Sequence, residues 1–133
     1  MDLKNQTQKR TIKFRAICAF SGVWRYGFYY VSKGNHIIRD ENDKESIVLE
    51  KTLGQFTGLH DKNGKEIYEG DWCCAKFMTK NDNKVIQGLI IMDEFMWCID
   101  CTGNLGDDIF SINRIHDVEV IGNIFDDPEL VKL

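Results

Sequence analysis

Apolar and polar residues alternate with period two through most of the chain, and the positions where that alternation breaks are rich in glycine, asparagine and aspartate. Such a rhythm predicts short strands joined by tight turns. From Thr11 to Phe20 the apolar set is Ile12, Phe14, Ala16, Cys18 and Phe20, with Lys13 and Arg15 on the other face. Ser21-Gly22 marks a turn, and Trp24, Tyr26, Phe28 and Tyr30 then alternate with Arg25, Gly27 and Tyr29 as a second strand that pairs back on the first. Residues 32 to 46 are polar and predict an exposed loop, with a short strand at His36-Ile37-Ile38. Ile47-Val48-Leu49 resumes the strand pattern.

Residues 53 to 71 hold four glycines (Gly54, Gly58, Gly64 and Gly70) among short apolar pieces and predict a tight hairpin. Its turn is Asp61-Lys62-Asn63-Gly64: Asn63-Gly64 is the pair that most readily takes positive φ, and Asp61 can hydrogen-bond forward to the turn backbone. Glu69-Gly70-Asp71 changes direction again, after which Cys73, Ala75 and Phe77 face one way and Trp72, Cys74, Lys76 and Met78 the other. Further strands are expected over 85–92, 95–99, 109–115 and 118–125, with connections at Lys80-Asn81-Asp82-Asn83, at Asp93-Glu94 and across 102–108. Gly122 is expected to permit a bulge or close packing. Asp127-Pro128 predicts one short helical turn, with Asp127 as its cap. The expectation is a mainly β protein: residues 1–10 as a flexible tail, and a single β domain over 11–133.

The blocks "GQFTGLHDKNGKEIYEGD" at 54–71, "VIGNIFDDPEL" at 120–130 and the opening Ile12-Lys13-Phe14-Arg15-Ala16 resemble the YopX family of phage and prophage proteins. They lie in the family's order and nearly span the chain. Cys73 and Cys74 depart from the aliphatic pair expected after Gly70-Asp71, and the Cys98 region departs too. The resemblance implies a bacteriophage origin, a fold of several coiled antiparallel β-sheets and a multi-subunit homo-oligomer. It implies no catalytic residue set.

Composition narrows the function classes. At 133 residues, 43% hydrophobic and 29% charged, the chain suits one globular domain. No apolar run approaches the roughly 18 residues of a membrane span, and the polar start does not suit a signal peptide, so the expected location is the bacterial cytoplasm without membrane contact. Five cysteines without an export signal are expected to be reduced.

Charge is uneven. Residues 1–39 hold eight Lys or Arg against Asp2 alone, a net +7, while 40–133 hold nine basic and twenty acidic residues, a net −11. The basic segment interleaves Lys13, Arg15 and Arg25 with Trp24 and Tyr29, the composition that binds single-stranded nucleic acid through phosphate contacts and stacked rings. If the even-numbered aromatics are core, the same cations form an exposed row for docking a neighbouring subunit or a host or phage protein, and the acidic remainder favours this protein-binding alternative.

Other chemistry finds less support. Cys98-Ile99-Asp100-Cys101 has the spacing of half a zinc knuckle but falls in a strand with no second pair, so structural thiols are expected. Asp61-Lys62-Asn63-Gly64 lacks the glycine and glutamate placement of a calcium loop. Glu66, Glu69 and Asp71 bring three carboxylates close in sequence, and His36, His60 and His116 are scattered. No phosphate-binding loop and no nucleophile beside a base is recognisable. A non-enzymatic protein without a cofactor is expected.

Overall fold

A computed structural model describes residues 11–79, 82–102 and 108–131. The expected flexible tail at 1–10, Lys80-Asn81 and most of the 102–108 connection lie outside the described residues. The fold is mainly β, with two antiparallel sheets and, among the described residues, 3-10 turns as the helical structure. The chain divides into two compact units, Met1–Gly58 and Leu59–Leu133.

The first unit holds β1 (Phe14–Ile17), β2 (Trp24–Ser32), β3 (Asn35–Arg39), β4 (Glu45–Ile47) and the start of β5 (Gly54–His60), and these run in the order β4-β3-β2-β1-β5. The first strand is shorter than its period suggests. Its end is captured by a turn in which Cys18 N–H donates to the Val23 carbonyl (2.8 Å) and Gly22 N–H to the Cys18 carbonyl (3.0 Å), with Gly22 at φ +73°. Phe20 is thereby thrown out to 85% exposure instead of joining the core.

The expected loop over 32–46 is more ordered than its polarity suggests. Lys33 and Gly34, at φ +52° and +78°, close a two-residue hairpin between β2 and β3. Asp40 Oδ1 then accepts from the N–H groups of Asn42 and Lys44, both at 2.9 Å, and turns the chain into β4. Backbone pairing and the burial of Ile38 outweigh the polar composition. Ala16, Ile38 and Val48 form this unit's core, with Phe14, Tyr29 and Leu53 packed on it.

The second unit holds β6 (Glu66–Tyr68), β7 (Asp71–Met78), β8 (Asn83–Asp93), β9 (Met96–Asp100), β10 (Ile109–Ser111) and β11 (Ile115–Asn123). Its five-stranded sheet runs β10-β9-β8-β7-β11. The core comprises Ile67, Cys73, Ala75, Ile86, Ile90, Ile99, Cys101 and Ile115. Cys73 and Ala75 face it as the alternation predicts, although Trp72, expected outward, is buried as well.

Three turns settle local details. At Asp61–Lys65 only Gly64 of the Asn-Gly pair has positive φ (+84°), and Asp61 N–H donates to the Lys65 carbonyl at 2.7 Å. The β8–β9 turn falls one residue later than expected, on Glu94-Phe95. The strand expected over 109–115 is cut by a 3-10 turn at Ile112–Arg114. At Gly122 the register with β7 shifts, and an added Cβ would lie 2.6 Å from Asp127 Oδ2 and 2.9 Å from Leu130 Cδ1, so both the bulge and the close packing are present. The terminal 3-10 turn is Pro128–Val131, and the Asp127 carboxylate accepts from the Asn123 N–H (3.4 Å).

Candidate binding surface

Cross-strand neighbours in an antiparallel sheet share a face. Ala16 pairs with Arg25 and Phe14 with Gly27, which puts the odd-numbered residues of β2 on the core side. Arg15 pairs with Tyr26 and Ile17 with Trp24, so the even-numbered aromatics look outward. This reverses the core assignment suggested by alternation alone. Tyr29, not its even neighbours, packs inward: its ring lies 5.7 Å from that of Phe14 and stacks on His36, and its hydroxyl is 2.6 Å from His36 Nδ1. Among the candidate residues Tyr29 is therefore a structural one.

The outward face carries Trp24, Tyr26, Phe28 and Tyr30 in succession, with Phe28 62% and Tyr26 46% exposed. The Phe28 and Tyr30 rings stack at 6.0 Å. Two cations interleave with them. Arg15 holds its guanidinium 4.7 Å from the Trp24 ring centre, and Arg39, opposite Phe28, lies 5.4 Å from the Tyr30 ring. The exposed cationic row expected of Lys13, Arg15 and Arg25 does not form, because Arg15 is only 5% exposed. Lys13, half-buried, lies 5.3 Å from the Phe56 ring.

Arg39 Nη2 donates to Glu45 Oε1 at 2.9 Å. Around that pair a hydrogen bond to Glu45 raises the Tyr30 phenol above its ordinary range, the same bond lowers the Glu45 carboxyl, and Glu45 holds the Arg39 cation more firmly. Beside the stripe opens a cavity of about 370 Å³ whose walls include Lys13, Trp24, Arg25, Tyr26, Asp40 and Glu41. The Arg25 Nε is buried there without a hydrogen-bond acceptor among the described residues.

The remaining candidates are structural. Asp61 is a buried acceptor: Oδ1 takes the N–H groups of Asn63 (2.8 Å) and Lys65 (2.9 Å), and Oδ2 takes that of Val120 (3.0 Å). Gly70 turns the chain at φ +92°, and Asp71 Oδ2 accepts from Tyr68 N–H at 2.7 Å. Glu66 Oε1 accepts from the Tyr68 hydroxyl at 3.0 Å. All five cysteines are free thiols. Burial pushes Cys101 up to about 11, and burial followed by the negative field of Asp93 raises Cys98, which keeps both thiols protonated near neutrality. Among the described residues no three His, Cys, Asp or Glu side chains gather as metal ligands, and no helix is long and apolar enough to cross a membrane.

Two features escape a reading of sequence alone: the exposure of Tyr26 and Phe28, and the wholly exposed Phe95 on the β8–β9 turn. The first leaves no signal because Tyr29-Tyr30 makes both faces of β2 aromatic. A signal for the second is the missing Asn-Gly at a two-residue hairpin, where Glu94-Phe95 stands instead.

These features define a class: a mainly β protein of two antiparallel sheets, whose most distinctive surface is an aromatic stripe contacted by one buried arginine, Arg15, and one exposed arginine, Arg39. The chain belongs to the YopX protein family, whose sequence model matches residues 13–132. No match is found among curated proteins.

Proposed function

We propose that the chain is a phage or prophage accessory protein of the bacterial cytoplasm that acts without catalysis, by associating with copies of itself and by binding a host or phage protein. The observation that carries this reading is the outward stripe of β2, with Phe28 62% exposed in line with Tyr26. Large rings displayed together on a rigid strand are the composition of interface centres. Arg15 and Arg39 are already engaged with Trp24, Tyr30 and Glu45, so they stiffen the stripe more than they attract phosphate. Light-scattering mass after chromatography tests this: native protein is a multimer, and Phe28→Ser shifts it toward monomer. An unchanged mass for that variant overturns the role of the stripe.

A second reading, single-stranded nucleic acid, is favoured by one observation: Lys13 and Arg25 line the same cavity as the Trp24 indole. It predicts oligonucleotide binding that weakens steeply with salt and falls on Trp24→Ala. Absence of binding at low salt ends it.

A further inference from the structure

The second unit has a cavity of its own, of about 190 Å³, at one end of the five-stranded sheet. Strand register decides which side chains reach it. Phe77 pairs with Lys84, Ala75 with Ile86, Ile90 with Ile99, and Ile99 with Phe110. Every second residue of a strand shares a face, so Phe77, Lys84, Ile86 and Phe110 all stand on the side of the sheet that holds the core. Cys101, two residues past Ile99, is part of that core. Asp108, whose carbonyl accepts from the Cys101 N–H at 3.0 Å, completes the lining.

Polarity changes from floor to mouth. Ile86 and Cys101, 5% and 2% exposed, form an apolar floor, and the Phe77 and Phe110 rings, 4.6 Å apart, stand over it. Burial keeps the Cys101 thiol protonated, so the floor carries no charge. Lys84 and Asp108 are exposed and supply one charge of each sign at the rim. Among the described residues neither has an ion pair, and they do not pair with each other. Lys84 is on β8 and Asp108 stands just before β10, with β9 between those strands. Two strand spacings, roughly 9.5 Å, therefore part their backbones, which leaves room for a guest that carries both charges. Neighbouring charges are engaged elsewhere: the Asp100 carboxylate accepts from the Thr102 N–H at 2.9 Å, and Arg114 lies 5.3 Å from the Phe77 ring.

We propose that this cavity binds a free α-amino acid with a large apolar side chain, the side chain lying against Phe77, Ile86 and Phe110, the carboxylate on Lys84 and the ammonium on Asp108. Such a molecule has both charges at one end and its hydrocarbon at the other, as the rim and floor do. Size agrees as well: a cavity of about 150 Å³ accommodates benzene, and one of about 190 Å³ takes a side chain of leucine or phenylalanine. The site lies wholly in the second unit and stands independently of the self-association proposed above.

Titration calorimetry of the full chain with free amino acids tests it. L-Leucine and L-phenylalanine bind saturably, and glycine, which lacks the apolar part, binds about tenfold more weakly or less. Lys84→Gln weakens L-phenylalanine about two- to fivefold and leaves L-phenylalanine amide, which has no carboxylate, unchanged. Asp108→Asn weakens L-phenylalanine to a similar extent and leaves 3-phenylpropanoate, which has no ammonium, unchanged. Both side chains are exposed, so both variants keep the native circular dichroism spectrum. Absence of saturable heat for either amino acid at millimolar concentration overturns the proposal. Toluene binding as tightly as L-phenylalanine, or L-phenylalanine binding untouched in both variants, shows a void that takes any apolar ring and overturns the amino-acid assignment.

Discussion

Replacing Asp61 by alanine removes one buried carboxylate that accepts three backbone N–H groups, two inside its own turn and one, from Val120, 59 residues away. A hydrogen bond to a charged acceptor contributes roughly 1.5–3 kcal/mol, and an orphaned buried donor costs about 1–3 kcal/mol. Asn63 and Lys65 are exposed, so water replaces much of what their N–H groups lose, while the part-buried Val120 N–H has no such recourse. The sum for Asp61→Ala is about 3–5 kcal/mol, which for a unit of this size lowers the melting temperature by more than about 10 °C. Asp61→Asn keeps one acceptor oxygen but turns an amide donor toward an N–H, and is expected to lose about 1–3 kcal/mol.

The sign of the pH dependence follows from the same geometry. Burial alone would raise the Asp61 carboxyl, but the N–H groups of Val120, Lys65 and Asn63 outweigh it and hold the group below its ordinary value of 3.8. A carboxyl lowered by folding stabilises the protein fully above its ordinary value, and that stabilisation disappears as pH falls through the lower folded value. Denaturant titrations of native protein and both variants between neutral and acid pH, with amide exchange at Val120, measure both effects. A melting temperature for Asp61→Ala within about 2 °C of native, or a Val120 amide still protected in that variant, refutes the reasoning.

Gly88→Ala would drive a Cβ into the backbone carbonyl of Asp100, which cannot move without parting β8 from β9, so a loss of about 3 kcal/mol or more is expected in urea unfolding. Gly122→Ala meets only the ends of the Asp127 and Leu130 side chains and is expected to cost about 1 kcal/mol; equal losses at the two sites would contradict this. Arg15→Met forfeits the contact with Trp24, about 2 kcal/mol for a desolvated cation over a ring. Arg15→Glu would bury a carboxylate against the indole and unfold the first unit, as seen in circular dichroism; a folded Arg15→Glu with native stability would show Arg15 to be a surface residue. The Cys18 thiol is lowered from 9.0 to about 7, first by the Ser21 hydroxyl and then by the Ser21 and Phe20 N–H groups. A thiol lowered by folding stabilises fully above its ordinary value and less as pH falls toward the folded one. The urea midpoint should therefore rise from pH 7 to pH 9, and Ser21→Ala should flatten that rise.

The turns and the strand rhythm were legible in the sequence. Gly22, Gly64 and Gly70 stand at positive φ where the chain reverses, and Asp61 bonds forward to Asn63 and Lys65, because both effects are decided within a few residues of chain. From Cys73 to Met78 the faces of β7 were legible too, since Cys73 and Ala75 contrast with Lys76 and Met78, whereas Trp72, expected outward, is buried. For β2 the same rhythm was silent about phase. Aromatic residues stand on both of its faces, and only its pairing with β1 turned Tyr29 inward and left Tyr26 and Phe28 in water. Pairing likewise buried Arg15 beside Trp24 and joined Asp61 to Val120. Period two dictates that neighbouring side chains part to opposite faces, but which face meets the core depends on a partner strand that the local sequence does not contain.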